Sequence, residues 1–158
     1  MTQHSNGTPL LRVDDLSVAF HAKDSSVRAV TDVSFEIHPG EVLAVVGESG
    51  SGKSVTALAL MRLHPRNTEI TGKVTFDGMD LLELPEPQMR QIRGRDIAMI
   101  FQDPMTAMNP VFTVGDQIVE AIRLHNDVTS KEAWNRAVDL LQLVGVPEPK
   151  QRADQYPH

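Results

Sequence analysis

The sequence predicts an α/β fold, and three observations support this prediction. An apolar run, VLAVV at residues 42–46, has the β-rich composition of a strand that is buried on both faces. The glycine-rich stretch GESGSGKS at 47–54 follows it directly, and the alanine- and leucine-rich segment 52–63 then favours a helix. From Pro110 onward the pattern is helical alone. The order of strand, glycine-rich turn and helix indicates a parallel α/β core.

Several further segments are predicted to form strands. LLRVDDLSVAF (10–20) and AVTDVSFEI (29–37) alternate between apolar and polar residues, which predicts strands with one solvated face. ITGKVTFDGMDL (70–81) is predicted to be a strand with a glycine-containing turn at 77–78, and DIAMIF (96–101) another buried strand. We therefore expect both half-solvated and fully buried strands.

Helices are predicted wherever apolar residues recur at helical spacing. Pro85 stands at a suitable first position for a short polar helix, and TVGDQIVEAIRLH (113–125) has an apolar face. TSKEAWNRAVDLLQLVGV (129–146) opens with Thr129 and Glu132 at the spacing of a capping box. The polar tail leaves room for one short further helix.

Composition excludes several classes of protein. The 158 residues contain 15 Lys and Arg against 21 Asp and Glu, a formal charge of −6, so we expect no nucleic-acid binding. The absence of cysteine excludes disulfides, cysteine-ligated zinc and iron–sulfur clusters within this chain. No stretch approaches the roughly 18 apolar residues of a membrane-spanning helix, and the first residues lack a secretory signal pattern. We expect a cytoplasmic protein that reaches a membrane only through a partner.

The stretch GESGSGKS at 47–54 satisfies the pattern G-x-x-x-x-G-K-[ST] of the phosphate-binding loop, or P-loop. Its glycines permit backbone conformations in which successive N–H groups point at phosphate oxygens, and the helix that begins near Gly52 adds its partial positive charge. Lys53 is expected to reach the β- and γ-phosphates, and the Ser54 hydroxyl to ligate Mg²⁺. The residues predicted to contact the phosphates are Gly47, Glu48, Ser49, Gly50, Ser51, Gly52, Lys53, Ser54 and Val55.

Other phosphate-binding classes fit this sequence less well. A dinucleotide fingerprint starting at Gly50 and Gly52 would need a third glycine where Val55 stands. A GTPase should show D-x-x-G and N-K-x-D segments, but no Asp has Gly three positions on and no Asn precedes Lys. A small-molecule kinase would use an arginine-rich lid, for which the arginines at 90–95 could serve, although a solvated helix face explains them as well. The kinase alternative stays open.

The stretch AMIFQDPMTAMNP at 98–110 helps to decide which class of P-loop protein this chain belongs to. If it were the acidic strand that holds magnesium, an acid would end the apolar run, but Gln102 stands there. The segment MIFQDPMTAMNPVFTVGDQI (99–118) resembles the Q-loop region of the ATPase subunits of ABC transporters, in the form found in importers of dipeptides, oligopeptides and nickel. The resemblance runs from about residue 10 to the end of the chain.

This resemblance implies roles for individual residues, with ATP and Mg²⁺ as cofactors. Gln102 would ligate Mg²⁺ and the attacking water, and residues 103–110 would face the membrane subunits. Phe20 lies where the family places the aromatic that stacks on adenine, although a strand aromatic in the local core remains an open alternative. The family's organisation implies an ATP-binding core with an antiparallel β subdomain at about 10–103, and the start of a helical subdomain at about 104–158.

The resemblance also implies partners and a location. A second ATPase subunit, transmembrane permease subunits and, indirectly, a solute-binding protein are expected, at the cytoplasmic face of the membrane. Family members continue into an LSGG signature, an acidic strand and a switch histidine, whereas this sequence ends at DQYPH. We therefore expect an amino-terminal part of a longer ATPase, with negligible hydrolysis on its own and an uncovered apolar sheet edge at 42–46. The alternatives are a nucleotide-binding interaction fragment that does not hydrolyse ATP, and a soluble P-loop kinase.

Overall fold

The computed structural model describes residues 7–23, 25–102 and 107–158. The chain divides into two compact units, Met1–Arg90 and Gln91–His158. The division into functional subdomains near residue 103 stays a prediction, because compactness alone does not define a subdomain's role.

The first unit is built on an antiparallel sheet. Its strands are β1 (Leu11–Ala22), β2 (Ser25–Ile37), β3 (Thr68–Phe76) and β4 (Met79–Asp80). Their spatial order is β2-β1-β3-β4, so β1 is flanked on both sides, with Leu11 opposite Ile37 on β2 and Phe76 on β3. The half-solvated strands predicted from alternation are confirmed, and so is the turn at 77–78.

Two helices carry part of the core of the first unit, and the second of them extends two residues beyond it. They are α1 (Lys53–Leu60) and α2 (Glu86–Ile92). Helix α1 packs on β1 and β2 through the buried Ala59. The largest fully buried side chains are Leu16, Leu81, Met89, Val13, Val18 and Val74. Burial of these apolar side chains is the main stabilising term for the unit.

The predictions of a buried parallel strand at 42–46 and of a buried strand at 96–101 are wrong for this structure. Residues 42–46 have no strand structure, and Val42 and Val46 are 93% and 89% exposed. A β-strand is stabilised by hydrogen bonds to neighbours, and no segment within the described ranges pairs with 42–46. Segment 96–101 makes only an isolated parallel bridge, between Ile97 and Arg93. Composition alone does not form a strand when no pairing segment is present.

The second unit is helical. Its helices are α3 (Val114–His125), α4 (Ser130–Leu143) and the short α5 (Pro149–Ala153). Ile122 of α3 packs against Ala133 and Ala137 of α4 to form a small core. No helix in the described ranges is long and apolar enough to span a bilayer.

The start of α4 is capped as the sequence predicts, and the start of α3 is also capped by a threonine. The Thr113 side chain accepts a hydrogen bond from the Asp116 backbone N–H. Thr129 and Glu132 form the predicted capping box, in which each side chain bonds to the other residue's backbone N–H. Local sequence therefore fixes where both helices begin.

Candidate nucleotide-binding site

The glycine that begins α1 is required by its surroundings. Gly52 has φ +91°, a left-handed conformation that side chains with a Cβ rarely adopt. A Cβ at this position would lie 2.7 Å from the carbonyl oxygen of Ala29 on β2. Glycine therefore lets the start of α1 approach the sheet closely, and this contact fixes the carboxyl end of the loop 47–54.

Lys53 is held inside the loop that precedes it. Its Nζ donates hydrogen bonds to the carbonyl oxygens of Gly47, at 2.8 Å, and Glu48, at 2.7 Å. The Ser51 Oγ accepts a third bond at 3.2 Å. All three acceptors are uncharged, and no carboxylate in the described parts of the chain makes an ion pair with Lys53. The loop therefore holds a positive charge that no acid neutralises, which suits an anionic ligand.

The first turn of α1 adds to this positive character. No side chain caps the helix at Gly52, and the first turn carries no acid. The carbonyl oxygen of Gly52 accepts from the Thr56 N–H at 2.8 Å and from the Thr56 hydroxyl at 3.0 Å, which secures the turn. N–H groups at the start of a helix that lack a side-chain cap bind anions readily. The residues present therefore fit a phosphate group at the loop.

The side chains of the loop are open to solvent. Among the residues predicted to contact phosphate, Gly52, Lys53 and Val55 are half-buried, and the exposed ones are Gly47, Glu48, Ser49, Gly50, Ser51 and Ser54. The Ser54 hydroxyl, the predicted magnesium ligand, is thus accessible. In the described residues no three His, Asp or Glu side chains cluster to form a separate metal site.

Phe20 lies at the end of β1, beside the β1–β2 hairpin. It pairs with Val27 of β2, which is 61% exposed, and residues that pair directly lie on the same face of a sheet. The Phe20 ring is half-buried and meets the ring of His64 edge to face, with centroids 5.5 Å apart and an angle of 79°. The ring therefore has a defined neighbour on one side. His64 gave no signal in the sequence, because its position after α1 matches no motif.

Gln102 belongs to the second unit, whereas the loop 47–54 belongs to the first. The side chain of Gln102 is exposed. Residues 103–106 of the predicted permease contact lie outside the described residues. Of the remainder, Asn109 is held by Gln117, whose Oε1 accepts from the Asn109 N–H at 2.8 Å. The role of Gln102 as a metal ligand stays a prediction.

Most of the chain, including the loop, is matched by a known family. The family model described as ABC transporter matches residues 30–158, a range that contains the whole loop 47–54 and Gln102. The chain belongs to the ABC transporter family. The resemblance seen in the sequence is thereby confirmed.

Named relatives of this ABC transporter chain are transport ATP-binding proteins. The peptidoglycan transport ATP-binding protein YejF of Agrobacterium fabrum is 51% identical over 158 residues, which are 99% of this chain and 29% of YejF. The oligopeptide transport ATP-binding protein OppD of Escherichia coli is 47% identical over 149 residues, which are 94% of this chain and 44% of OppD. The chain therefore spans less than half the length of these curated relatives.

Solved structures confirm the fold class. The dimeric structure of MJ0796, a bacterial ABC transporter cassette, superposes with a TM-score of 0.78 at 21% identity, over 93% of this chain and 61% of the other. A post-hydrolysis dimer of the same cassette with bound ADP and phosphate gives a TM-score of 0.76 at 20% identity, over the same shares of both chains. The chain thus has the fold of the part of an ABC transporter ATPase cassette that it covers.

Proposed function

We propose that this chain is the ATP-binding part of an importer ATPase and that it binds Mg²⁺–ATP at residues 47–54. The observation that carries the proposal is the charge of Lys53, which is held by neutral oxygens beside an uncapped helix start. The Lys53 ammonium already donates as a charged group, and a triphosphate would replace its neutral acceptors with anionic oxygens, which adds attraction between opposite charges. The loop therefore has more to gain from a polyphosphate than from any neutral ligand.

The residues of the proposed site divide between the two ends of the nucleotide. The backbone N–H groups of 47–55 and the Lys53 ammonium would surround the phosphates, and Phe20 would stack on adenine. Ser54 and Gln102 would hold Mg²⁺ through their side-chain oxygens. Mg²⁺–ATP, when bound, supplies the phosphoanhydride bond whose hydrolysis drives transport. Lys53 would stabilise the negative charge that develops on the phosphates.

The transported solute is proposed from the relatives. Those named above carry oligopeptide or peptidoglycan transport names, and none of the named relatives is a nickel transporter. We infer that the protein drives import of peptides. It would act at the cytoplasmic face of the membrane, together with a second ATPase subunit and transmembrane permease subunits. Contact with the permease is assigned to residues 103–110. The exposed Val111 and Phe112, which follow directly, would extend this contact with apolar surface.

Titration of the full chain with Mg²⁺–ATP tests the nucleotide proposal. We expect saturable binding in a calorimeter, and Lys53→Ala should weaken it by about tenfold or more, because a charge-assisted contact contributes about 1.5–3 kcal/mol. Lys73→Ala is the matched control, since Lys73 is an exposed lysine on β3 of the same unit. Circular dichroism shows whether each variant retains its fold. Equal ATP affinities of Lys53→Ala and wild type would overturn the proposal.

Release of phosphate separates an ATPase from a binding module. Turnover by the chain that Lys53→Ala abolishes would show that these residues hydrolyse ATP by themselves. Retained binding without turnover would indicate a nucleotide-binding part that needs further segments or partners for hydrolysis. Phosphate that appears on an acceptor molecule instead of in solution would favour the kinase alternative.

A further inference from the structure

His64 connects the phosphate loop to the aromatic residue proposed for adenine. Its Nε2 lies 2.9 Å from the carbonyl oxygen of Val55. A carbonyl can only accept, so Nε2 carries the proton and donates. The same imidazole also contacts the Phe20 ring edge to face, at a centroid distance of 5.5 Å. One side chain thus touches both the helix that follows the loop and the aromatic on β1.

The attachment point of this connection is close to the chemistry. Val55 directly follows Ser54 in the first turn of α1, so the hydrogen bond from His64 acts on the turn that also carries Lys53. A shift of this turn relative to Phe20 would have to break the bond or move the ring. The His64 imidazole therefore helps to fix the distance between the phosphate loop and the Phe20 ring.

The segment that carries His64 is itself fixed to β1. The His21 N–H donates to the Asn67 carbonyl oxygen at 3.0 Å, and the Asn67 side-chain amide donates to the His21 carbonyl oxygen at 2.7 Å. His21 directly follows Phe20, so the chain near His64 is tied to the strand beside the aromatic ring. The position of the imidazole therefore depends on these bonds between Asn67 and His21 as well as on the His64 rotamer.

We infer that His64 is a base-positioning residue, which holds Phe20 at a fixed place relative to the phosphate loop so that the loop and ring together accept a purine nucleoside triphosphate. The inference rests on the proposed function, since it needs Phe20 to stack on the base. A half-exposed phenylalanine without a packed neighbour would sample several rotamers, and ordering it on binding would reduce affinity. Contact with His64 orders the ring before the nucleotide arrives. The ring contact acts only at the base end of the site, and the bond to Val55 is made to a carbonyl oxygen, which cannot donate to a phosphate.

The test compares two ligands that differ only in having a nucleoside. The full chain is titrated with Mg²⁺–ATP and with magnesium tripolyphosphate. We expect His64→Ala to weaken ATP binding by about threefold to tenfold, the range of a typical aromatic pair, and to leave tripolyphosphate affinity within about twofold. His21→Ala is the matched control, because the His21 side chain bonds Glu69 on the neighbouring strand, and consecutive residues of a strand such as Phe20 and His21 point to opposite faces of the sheet. It should change neither affinity.

A double-mutant cycle distinguishes positioning from general loosening of the fold. Phe20→Ala should weaken ATP binding selectively, and His64→Ala should then have no further effect, because its only route to the base is removed. Equal loss of ATP and tripolyphosphate affinity in His64→Ala would overturn the inference, because it would indicate a role in shaping the loop. So would additive losses in the double variant.

The same cycle separates failure of this inference from failure of the proposed function. If Phe20→Ala weakens ATP binding and His64→Ala does not, the adenine site stands and the role of His64 is wrong. If Phe20→Ala changes nothing, the stacking role of Phe20 is wrong and that of His64 falls with it. If wild type binds neither ligand, the nucleotide proposal itself is overturned. His64→Phe adds a check, because it keeps an aromatic edge near Phe20 and should retain more ATP selectivity than His64→Ala.

Discussion

Gly52 lies so close to Ala29 that a Cβ built on it would stand 2.7 Å from the Ala29 carbonyl oxygen. The contact joins the first turn of α1 to β2 of the sheet. Because Lys53 follows Gly52 directly, the position of its ammonium depends on this approach.

Gly52→Ala should weaken ATP binding more than backbone strain at a positive φ alone would. Alanine would face both the left-handed backbone, which costs about 1–2 kcal/mol, and the collision with Ala29. We expect Mg²⁺–ATP affinity to fall by about tenfold or more in calorimetric titration. Gly40→Ala is the matched control, since Gly40 has φ +76° but nothing within 4 Å of a Cβ. If the two variants bind ATP equally well, the contact with Ala29 does not position the loop.

Gly115→Ala should destabilise the helical unit. A Cβ on Gly115 of α3 would lie 2.5 Å from Cζ3 of Trp134 and 2.8 Å from the carbonyl oxygen of Ala153. Overpacking of this kind costs about 1–3 kcal/mol, so the free energy of unfolding in urea should fall by that amount. Gly145→Ala has open space and φ +78°, and it should cost about 1–2 kcal/mol from backbone conformation alone. If Gly145→Ala lowers the free energy of unfolding more than Gly115→Ala does, the Trp134 side chain moves aside at little cost and the predicted overpacking is wrong.

The capping box of α4 should make the helical unit sensitive to acid. Hydrogen bonds from the Thr129 side chain and backbone N–H lower the pKa of Glu132 below its ordinary value of 4.5. A depressed pKa in the folded state means that the stabilisation is present above the unfolded pKa and is lost as pH falls through the folded pKa. Thermal stability should therefore decrease on acidification through this range, and less so in Glu132→Gln, which keeps a capping side chain without the charge.

The control for this titration is Glu120→Gln on α3, an exposed glutamate in the same unit. Melting curves recorded from about pH 6 to about pH 3 should show a smaller slope for Glu132→Gln than for wild type. The slope for Glu120→Gln should match wild type. If all three slopes coincide, the capping carboxylate contributes nothing to the acid sensitivity. Thr129→Ala provides an independent measure, since loss of such a cap lowers stability by about 0.5–2 kcal/mol.

The exposed apolar run 42–46 should promote self-association. Val42 is 93% exposed, and a short run of consecutive β-prone apolar residues without a charge pairs readily with another copy. Val42→Lys should reduce light scattering at a given protein concentration, because a charge interrupts the run. Leu143→Lys, at a position 81% exposed near the end of α4, is the matched control with a smaller expected effect. Equal scattering of Val42→Lys and wild type would contradict a role for this run.

Local signals in the sequence were sufficient for the helices. The Thr129 cap was predicted from a side chain three residues from the N–H group that it bonds, and α4 begins directly after it. The loop was recognised for the same reason, because all of its residues are contiguous. The strand at 42–46 was predicted wrongly from equally local information. Strand pairing depends on contacts between distant segments, and the composition of one segment does not show whether another strand lies beside it.

Long-range contacts around the site were also beyond the sequence. Nothing in the chain's pattern indicates that His64 would meet Phe20, or that Gly115 would lie under Trp134. Both contacts join residues that lie on different elements, and only the packing of those elements brings them together. The choice between a stacking Phe20 and a core Phe20 depends on this geometry, in which the ring is half-buried beside the exposed Val27.

By itself, the sequence determined the family, the phosphate-binding loop and the positions where helices begin, because each of these depends on residues close together in the chain. Only the tertiary structure decided that Lys53 rests against neutral oxygens, that Gly52 must be a glycine against Ala29, and that an imidazole links α1 to Phe20. These features depend on distances between elements. Such distances follow from the packing of the whole unit and from no single stretch of residues.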